Sequence, residues 1–365
     1  MSKLDSLIQK FCPKGVEYKK IGEICNIMRG KRLTTKELLQ NGKYPVIHGG
    51  TTPMGFYGQA NRKAGTTIVI NTGNAGCVFF IDKEFWSSDA CFSIYPCAEV
   101  LDRYLFHFLS MKEFILKGKI RAGAMPTIDS NAVESIEIPV PPLPVQREIV
   151  QILDKFTELT AELTAELTAR KKQYEFYRDE LLGEHSWPME KLGNACKLKA
   201  GKAIASSLIS PIKDPSHSIV CYGANGFRGY VQSPNRNGNH CLIGRQGALC
   251  GNVCFASGEF YATEHAIVVT NGKLHIERYL YHLFVKMNLN QYKSQGAQPG
   301  LSVAKLEELE IPIPPLPEQR RIVSILDRFD ALCNDLTAGL PAEIEARRKQ
   351  YEYYRDRLLS FERAE

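Results

Sequence analysis

Side chains able to contact a polyanion are concentrated in Gly-rich stretches of this 365-residue chain. The first half carries Arg29, Lys31 and Arg32 around Gly30, then His48, Thr51 and Tyr57 in a Gly-rich run, then Asn61, Arg62 and Lys63. The second half carries Lys199 and Lys202 around Gly201, then Tyr222, Asn225 and Arg228, then Asn235 and Arg236, and finally Arg245 and Gln246. Arg, Lys, Asn and Gln are the types that hydrogen-bond base edges in the major groove, and glycine lets a loop approach closely. These residues are the candidate DNA contacts. Because such types also decorate ordinary solvated loops, their distribution along the chain matters more than their presence.

Residue patterns for covalent chemistry are missing. Both Pro-Pro pairs are followed by Leu, so there is no [DNS]-P-P-[YFW] methyltransferase motif, and neither G-x-G-x-x-G, G-x-x-x-x-G-K-[ST] nor H-E-x-x-H occurs. Asp82 and Glu84 flank Lys83, a spacing too common to mark a nuclease. The 11 cysteines include no C-x-x-C, and Cys241, Cys250 and Cys254 lack zinc-ribbon spacing, so no metal site is expected. The N-terminus lacks a signal-peptide pattern and no run of 18 apolar residues occurs. A cytoplasmic chain with free thiols and no membrane contact is therefore expected.

The elements that would position the contacts come from an internal repeat. Ile138-Pro-Val-Pro-Pro-Leu-Pro-Val-Gln-Arg-Glu-Ile-Val-Gln-Ile-Leu-Asp-Lys-Phe156 returns as Ile311-Pro-Ile-Pro-Pro-Leu-Pro-Glu-Gln-Arg-Arg-Ile-Val-Ser-Ile-Leu-Asp-Arg-Phe329. Arg170-Lys-Lys-Gln-Tyr-Glu-Phe-Tyr-Arg-Asp-Glu-Leu-Leu182 returns as Arg347-Arg-Lys-Gln-Tyr-Glu-Tyr-Tyr-Arg-Asp-Arg-Leu-Leu359. Fainter matches lie before them: Gly30-Lys31 with Gly201-Lys202, Asn61-Arg62 with Asn235-Arg236, Arg103-Tyr-Leu-Phe-His107 with Arg278-Tyr-Leu-Tyr-His282, and Gly123-Ala-Met-Pro126 with Gly296-Ala-Gln-Pro299. One unit, a diverged lobe followed by a nearly unchanged tail, is used twice.

The lobes read as mixed α/β. Thr66–Ile70, Cys77–Ile81, Cys241–Ile243 and Ala266–Thr270 are β-branched or apolar runs bounded by Gly and Asn, and single helices are expected over 100–116 and 276–289. The first tail reads as one helix over about 146–182, roughly 55 Å at 1.5 Å per residue. Leu153, Phe156, Leu163, Leu167, Tyr174, Tyr177 and Leu181 follow an a/d heptad pattern interrupted by Thr160 and Arg170, and Leu326, Phe329, Tyr351 and Tyr354 repeat it in the second tail. A helix that long predicts the other tail as its packing partner. The second tail has four additional residues and Gly339-Leu-Pro341, which predicts a break there. Of the net charge of +6, residues 1–137 and 183–310 carry all the excess base, while 138–182 and 311–365 are slightly acidic. Polyanion binding is thus expected of the lobes, and packing or partner contacts of the tails.

The doubled Pro-Pro-Leu-Pro-x-Gln-Arg-x-Ile-Val-x-Ile-Leu-Asp and Arg-x-Lys-Gln-Tyr-Glu-x-Tyr-Arg-Asp blocks resemble those of the specificity (S) subunits of type I restriction–modification systems, over essentially the whole chain. One departure is Val145 where the second block has Glu318. The resemblance implies two target-recognition domains, 1–138 and 183–311. Spacer helices at 139–182 and 312–365, the latter broken near Gly339–Pro341, would form an antiparallel coiled-coil pair with pseudo-twofold symmetry. It implies that each lobe reads half of an asymmetric split site in double-stranded DNA and that the helices dock two modification (M) subunits, with restriction (R) subunits joining them. S-adenosylmethionine, ATP and Mg²⁺ would then belong to the partners, and this chain would hold no cofactor and catalyse nothing by itself. The rival readings are a nuclease or methyltransferase acting alone, and a free-standing DNA-binding regulator or coiled-coil adaptor.

Overall fold

The computed structural model describes residues 2–121, 123–183, 186–247, 249–294, 299–335 and 337–364. Each lobe is built on a four-stranded antiparallel sheet. In lobe 1 the strand order is Cys25–Arg29, Cys91–Pro96, Thr66–Ile70, Val78–Ile81; in lobe 2 it is Cys196–Ala200, Ala266–Asn271, His240–Gly244, Val253–Ala256. All five residues of Thr66–Ile70 are buried, because both faces of the sheet are covered. Val69, Val78 and Ile94 pack toward the helix Asp102–Met111, whereas Ile68, Ile70 and Cys91 join Ile47 and Phe85 on the opposite face. Lobe 2 repeats the arrangement with Ile243, Ile267 and Val269 toward the helix Glu277–Met287, and Leu242, Val268 and Phe260 behind. The layer behind is a small second sheet, in which Trp86–Ser87 runs parallel to Tyr44–Ile47 and Glu259–Ala262 parallel to Ile219–Gly223. The repeat that is faint in the lobe sequences is therefore plain in topology, the second sheet having three strands in lobe 1 and four in lobe 2.

Each of the two expected lobe helices ends early. The first stops at Met111, and after Lys112 a short helix Glu113–Gly118 takes a new direction that lets the Glu113 carboxylate accept the Val78 N–H at 2.9 Å. The second stops at Met287, where Asn288 adopts φ +45°, the left-handed conformation that terminates helices. The first tail is an unbroken helix, Leu143–Leu181, starting three residues before the expected position. Pro144 falls in its first turn, where a missing N–H costs no helical hydrogen bond. The second tail forms two helices, Leu316–Asn334 and Leu340–Leu358.

Contacts divide the chain into two compact units that cut across the sequence repeat. Unit 1 comprises 1–164 and 343–365, and unit 2 comprises 165–342. The reason is where the apolar tail residues go. Val145, Ile149, Leu153 and Leu359 complete the lobe 1 core, while Tyr174, Leu182, Ile322 and Leu326 complete the lobe 2 core. Each lobe is thus closed by the first part of its own tail and the last part of the other. Phe156 stacks on Tyr354 (ring centroids 5.2 Å apart) and Tyr177 on Phe329 (5.4 Å), whereas Leu163 and Leu167, between them, are only half-buried.

One buried side chain explains the repeated Gln of the Pro-rich block. Gln146 is fully buried; its amide donates to the carbonyls of Glu99 and Pro141, both at 2.7 Å, and its oxygen accepts the Leu101 N–H at 2.9 Å. Gln319 does the same with Leu274, Pro314 and Ile276 at 2.8–3.0 Å. These bonds fasten the turn that precedes the lobe helix to the start of the tail helix. Replacing Gln146 by Ala orphans one buried and two part-buried backbone groups, and at roughly 1–3 kcal/mol each, partly relieved by water, the expected loss is about 3 kcal/mol. Urea denaturation of the full chain checks it. Gln173→Ala, on an exposed face, is the control and should change stability by less than about 0.5 kcal/mol.

Candidate nucleic-acid interface

At one end of each lobe sheet three loops converge, and the supporting backbone contacts are equivalent in the two lobes. In lobe 1 the loops are 48–50, 71–74 and 87–90, tied by Ser88 N–H to Ile47 O (3.0 Å) and Asn71 N–H to Ala90 O (2.8 Å). In lobe 2 they are 223–225, 244–247 and 262–265, tied by Thr263 N–H to Tyr222 O (3.0 Å) and Arg245 N–H to His265 O (2.8 Å). The repeated Gly-Lys pair crosses against them: Lys31 N–H donates to Ser87 O at 2.9 Å and Lys202 N–H to Ala262 O at 3.0 Å. A Cβ on Gly30 or on Gly201 would lie 2.1 Å from a carbonyl oxygen of this loop, so close approach fixes glycine there. The segment before each tail joins in, with Gly73 N–H on Pro126 O and Gly247 N–H on Pro299 O. Gly296, Ala297 and Gln298 of that repeated segment lie outside the described residues.

What lines the loops differs between the lobes. Arg29, Arg32, His48 and Asp89 surround one open cleft in lobe 1 together with Thr34, Thr35, Met54, Thr72 and Met125. The Arg29 Nε donates to the Asp89 carbonyl at 2.9 Å, and the His48 Nδ1 is hydrogen-bonded to Ser88 Oγ. In lobe 2 the corresponding loops carry Asn225, Arg245 and Gln246 beside Glu264 and His265, which pair with each other at 3.1 Å. Thr51, Lys63, Lys199 and Arg228 are exposed elsewhere on the lobes, Arg228 donating to Ser206 Oγ at 3.1 Å.

Six of the sequence-derived candidates are turned inward instead. Asn61 donates to the Ser87 carbonyl (3.0 Å) and accepts the Ser87 N–H (2.7 Å), and Asn235 makes the same pair with Ala262, both at 2.9 Å. Arg62 bonds Ser93 Oγ, the Asn61 carbonyl and the Arg29 carbonyl at 2.8–3.0 Å, and Arg236 bonds the Asn235 carbonyl at 2.8 Å. Tyr57 and Tyr222 pack edge-on against Trp86 and Phe260. An amide whose donor and acceptor are both used by a strand has little left for a base edge. The Asn-Arg repeat is a staple of the fold, and these six part-buried side chains make structural bonds or packing contacts within their own lobe. Sequence reading missed Ser88 and Thr263, Asp89, and Glu264 with His265, which sit on the converging loops; their only signal was position, eight residues or fewer before a buried strand.

The thiols near these loops are poor nucleophiles. Burial pushes Cys91 and Cys254 up to about 12. Among the described residues no group of three or more His, Cys, Asp or Glu is arranged to hold a metal ion, and no helix is long and apolar enough to cross a membrane.

The family profile described as type I restriction modification DNA specificity domain matches residues 13–170 and again 184–346. The chain belongs to this family. A type I restriction enzyme specificity subunit of Escherichia coli, EcoprrI, is 44% identical over 252 residues, covering 64% of this chain and 62% of that protein. One of Haemophilus influenzae is 33% identical over 375 residues, covering 95% of this chain and 96% of that protein. The crystal structure of the type I restriction–modification S subunit from M. genitalium superposes with a TM-score of 0.72 at 18% identity, over 94% of this chain and 96% of that one, a likeness of fold. The two matched domains, the mixed helix-and-sheet lobes and the long tail helix are the architecture of a specificity subunit.

The staple reading has a direct check. Asn61→Ala removes two part-buried hydrogen bonds and should cost about 2 kcal/mol in chemical denaturation, while Lys63→Ala, two residues away and exposed, should stay within about 0.5 kcal/mol.

Proposed function

We propose that this chain is the DNA-reading subunit of a type I restriction–modification complex, with each lobe contacting one half of a split, asymmetric duplex site through its converging loops. One observation carries the reading: the same loop frame, with the same backbone ties, occurs in both lobes with different side chains lining it. A duplicated frame with unlike lining is what two readers of two unlike half-sites require. The basic lobes supply a salt-sensitive phosphate term, and the loop side chains supply contacts to base edges. The tails fix the distance between half-sites and dock two modification subunits, which bind S-adenosylmethionine and methylate adenine. Restriction subunits that use ATP and Mg²⁺ complete the assembly, which works in the cytoplasm. A solved structural neighbour is described in terms of complex assembly of the type I restriction–modification system, and at 16% identity it supports the fold only.

The test is reconstitution. Purified alone with S-adenosylmethionine, ATP and Mg²⁺, the chain should neither methylate nor cleave DNA; adding its modification subunit should create methylation at one bipartite sequence. Turnover by the homogeneous chain would overturn the reading, as would full site-specific DNA occupancy and gene regulation without any modification subunit.

The tail gives a second test. Between Phe156 and Arg170 the helix contains two Leu-Thr-Ala-Glu tetrads, Leu159–Glu162 and Leu163–Glu166, in an unbroken helix. Four added residues lengthen an α-helix by about 6 Å and rotate its C-terminal part by about 40°. That corresponds to one or two base pairs at about 3.4 Å each. Each tetrad returns its Leu to nearly the same face, so the apolar seam survives. Inserting or deleting one tetrad should leave both half-site sequences intact and change the gap, read by mapping methylated adenines across the genome of the variant strain. An unchanged gap at full activity would remove this segment as the ruler.

A further inference from the structure

Two hydrogen-bond relays of the same four residue types sit where the lobes meet the tails. In unit 1, Tyr351 Oη lies 2.9 Å from His107 Nδ1, and His107 Nε2 lies 2.8 Å from Asp154 Oδ1. Arg103 closes the relay with Nε at 3.1 Å and Nη2 on the same carboxylate. In unit 2, Tyr174 Oη lies 3.0 Å from His282 Nδ1, His282 Nε2 is 2.7 Å from Asp327 Oδ1, and Arg278 reaches Asp327 at 2.7 Å and Asp330 at 2.7 Å. Both histidine side chains are fully buried. Each guanidinium also lies over two aromatic rings, Arg103 over Phe80 and Phe106, Arg278 over Phe255 and Tyr281, at 4.4–5.0 Å. Burial pushes His107 below its ordinary range, against the pull of Asp154, and raises Tyr351 to about 12. A neutral His107 protonated on Nε2 then donates to Asp154 and accepts from the Tyr351 hydroxyl, so every polar atom of the chain of bonds is used.

Each relay joins three separate segments: the lobe helix (Arg and His), the first part of one tail (Asp) and the last part of the other tail (Tyr). Apolar packing between the same segments is non-directional and tolerates small slips. A slip of one helical residue is about 1.5 Å along the axis and about 100° around it, enough to break a directional bond at both ends of the histidine. One base pair of gap is about 3.4 Å and about 35° of DNA twist, the same scale of error. Buried polar contacts of this kind add little net stability compared with apolar replacements, and their best-attested use is to fix register.

We propose that Tyr351–His107–Asp154–Arg103 and Tyr174–His282–Asp327–Arg278 are positioning residues that lock the register of each lobe on the helices that carry it and thereby set how strictly the half-site gap is measured. This role rests on the chain being the DNA-reading subunit proposed above. Removal of the relays should leave the bases read by each lobe unchanged and relax the spacing between them.

The experiment uses the chain reconstituted with its modification subunits. Duplexes carry the site mapped in the host genome, with the native gap, with one base pair more or less, and with one half-site mismatched. Tyr351→Phe, Tyr174→Phe and the double variant each remove hydroxyls without changing ring packing. For the double variant, the ratio of methylation rate at the native gap to that at altered gaps should fall at least about tenfold, each single variant giving a smaller fall, while mismatched half-sites stay unmethylated. A purely stabilising role would lower all rates together and leave that ratio unchanged, which overturns the proposal, as does loss of half-site discrimination. Failure of both single variants to assemble would show the relays to be required for folding and would overturn it too. A wild-type complex with no gap preference would instead overturn the function reading; sharp gap preference shared by wild type and variants overturns only the register role.

Discussion

A carboxamide with no access to water must find a protein partner for every polar atom, and at Gln146 and Gln319 those partners are backbone groups of two segments that would otherwise be free to move apart. The helix start, the extended Pro-rich approach and the turn before the lobe helix are fixed relative to one another by three bonds from one side chain. Everything downstream inherits that fixed point. The lobe helix that begins there carries the Arg and His of the relay, the tail helix that begins there carries its Asp, and the apolar rows Val145-Ile149-Leu153 and Ile322-Leu326 can seat only once that angle is set. Glu of similar volume would keep the acceptor for the N–H but leave two carbonyls without a donor, and Leu would leave all three groups unsatisfied.

This constraint explains part of why the tails repeat while the lobes do not. Gln146 and Gln319, Asp154 and Asp327, and Tyr174 and Tyr351 face buried or part-buried partners with directional demands, so few types serve at those positions. Loop residues such as Arg32, Thr51, Lys202 and Gln246 face solvent, where substitution changes stability by no more than about 0.5 kcal/mol. Within the lobes the exceptions are informative: Gly30 and Gly201, Asn61 and Asn235 recur because a carbonyl 2.1 Å from a would-be Cβ and a strand edge needing both an acceptor and a donor admit little else.

The architecture was legible in the sequence because it rests on repeats and periodicity. The strands Thr66–Ile70 and Val78–Ile81 and the mixed lobes followed from composition and punctuation, and the long first tail helix from its spacing of apolar residues. The site was only partly legible. Asn61 and Arg62 have the types that read bases, and nothing local distinguishes an Asn aimed at DNA from one bonded to a strand 26 residues away. Asp89, Glu264 and His265 were passed over for the converse reason: they reach the loop cluster through sheet topology, which brings 48, 72 and 89 together from three different connections. His107 and His282 stood in a matched segment, but their partners are up to 244 residues away and belong to the other repeat's tail.

That exchange of tails has a physical consequence for how the lobes vary. Because the last part of each tail closes the core of the other lobe, a substitution in that last part is felt in the lobe it packs against, and not in the lobe that precedes it in sequence: Tyr174 belongs to the lobe 2 core and Leu359 to that of lobe 1. A lobe can therefore change its loops freely only if it keeps the face that receives a tail from elsewhere in the chain. The receiving face is made of the lobe helix and the far side of the four-stranded sheet, Tyr104, Phe108 and Ile94 in one lobe and Tyr279, Leu283 and Val269 in the other. The loops lie at the end of the sheet, and among the described residues the backbone bonds that tie them come from within their own lobe. Separating the two surfaces on one small sheet is what allows unlike readers to share one mount.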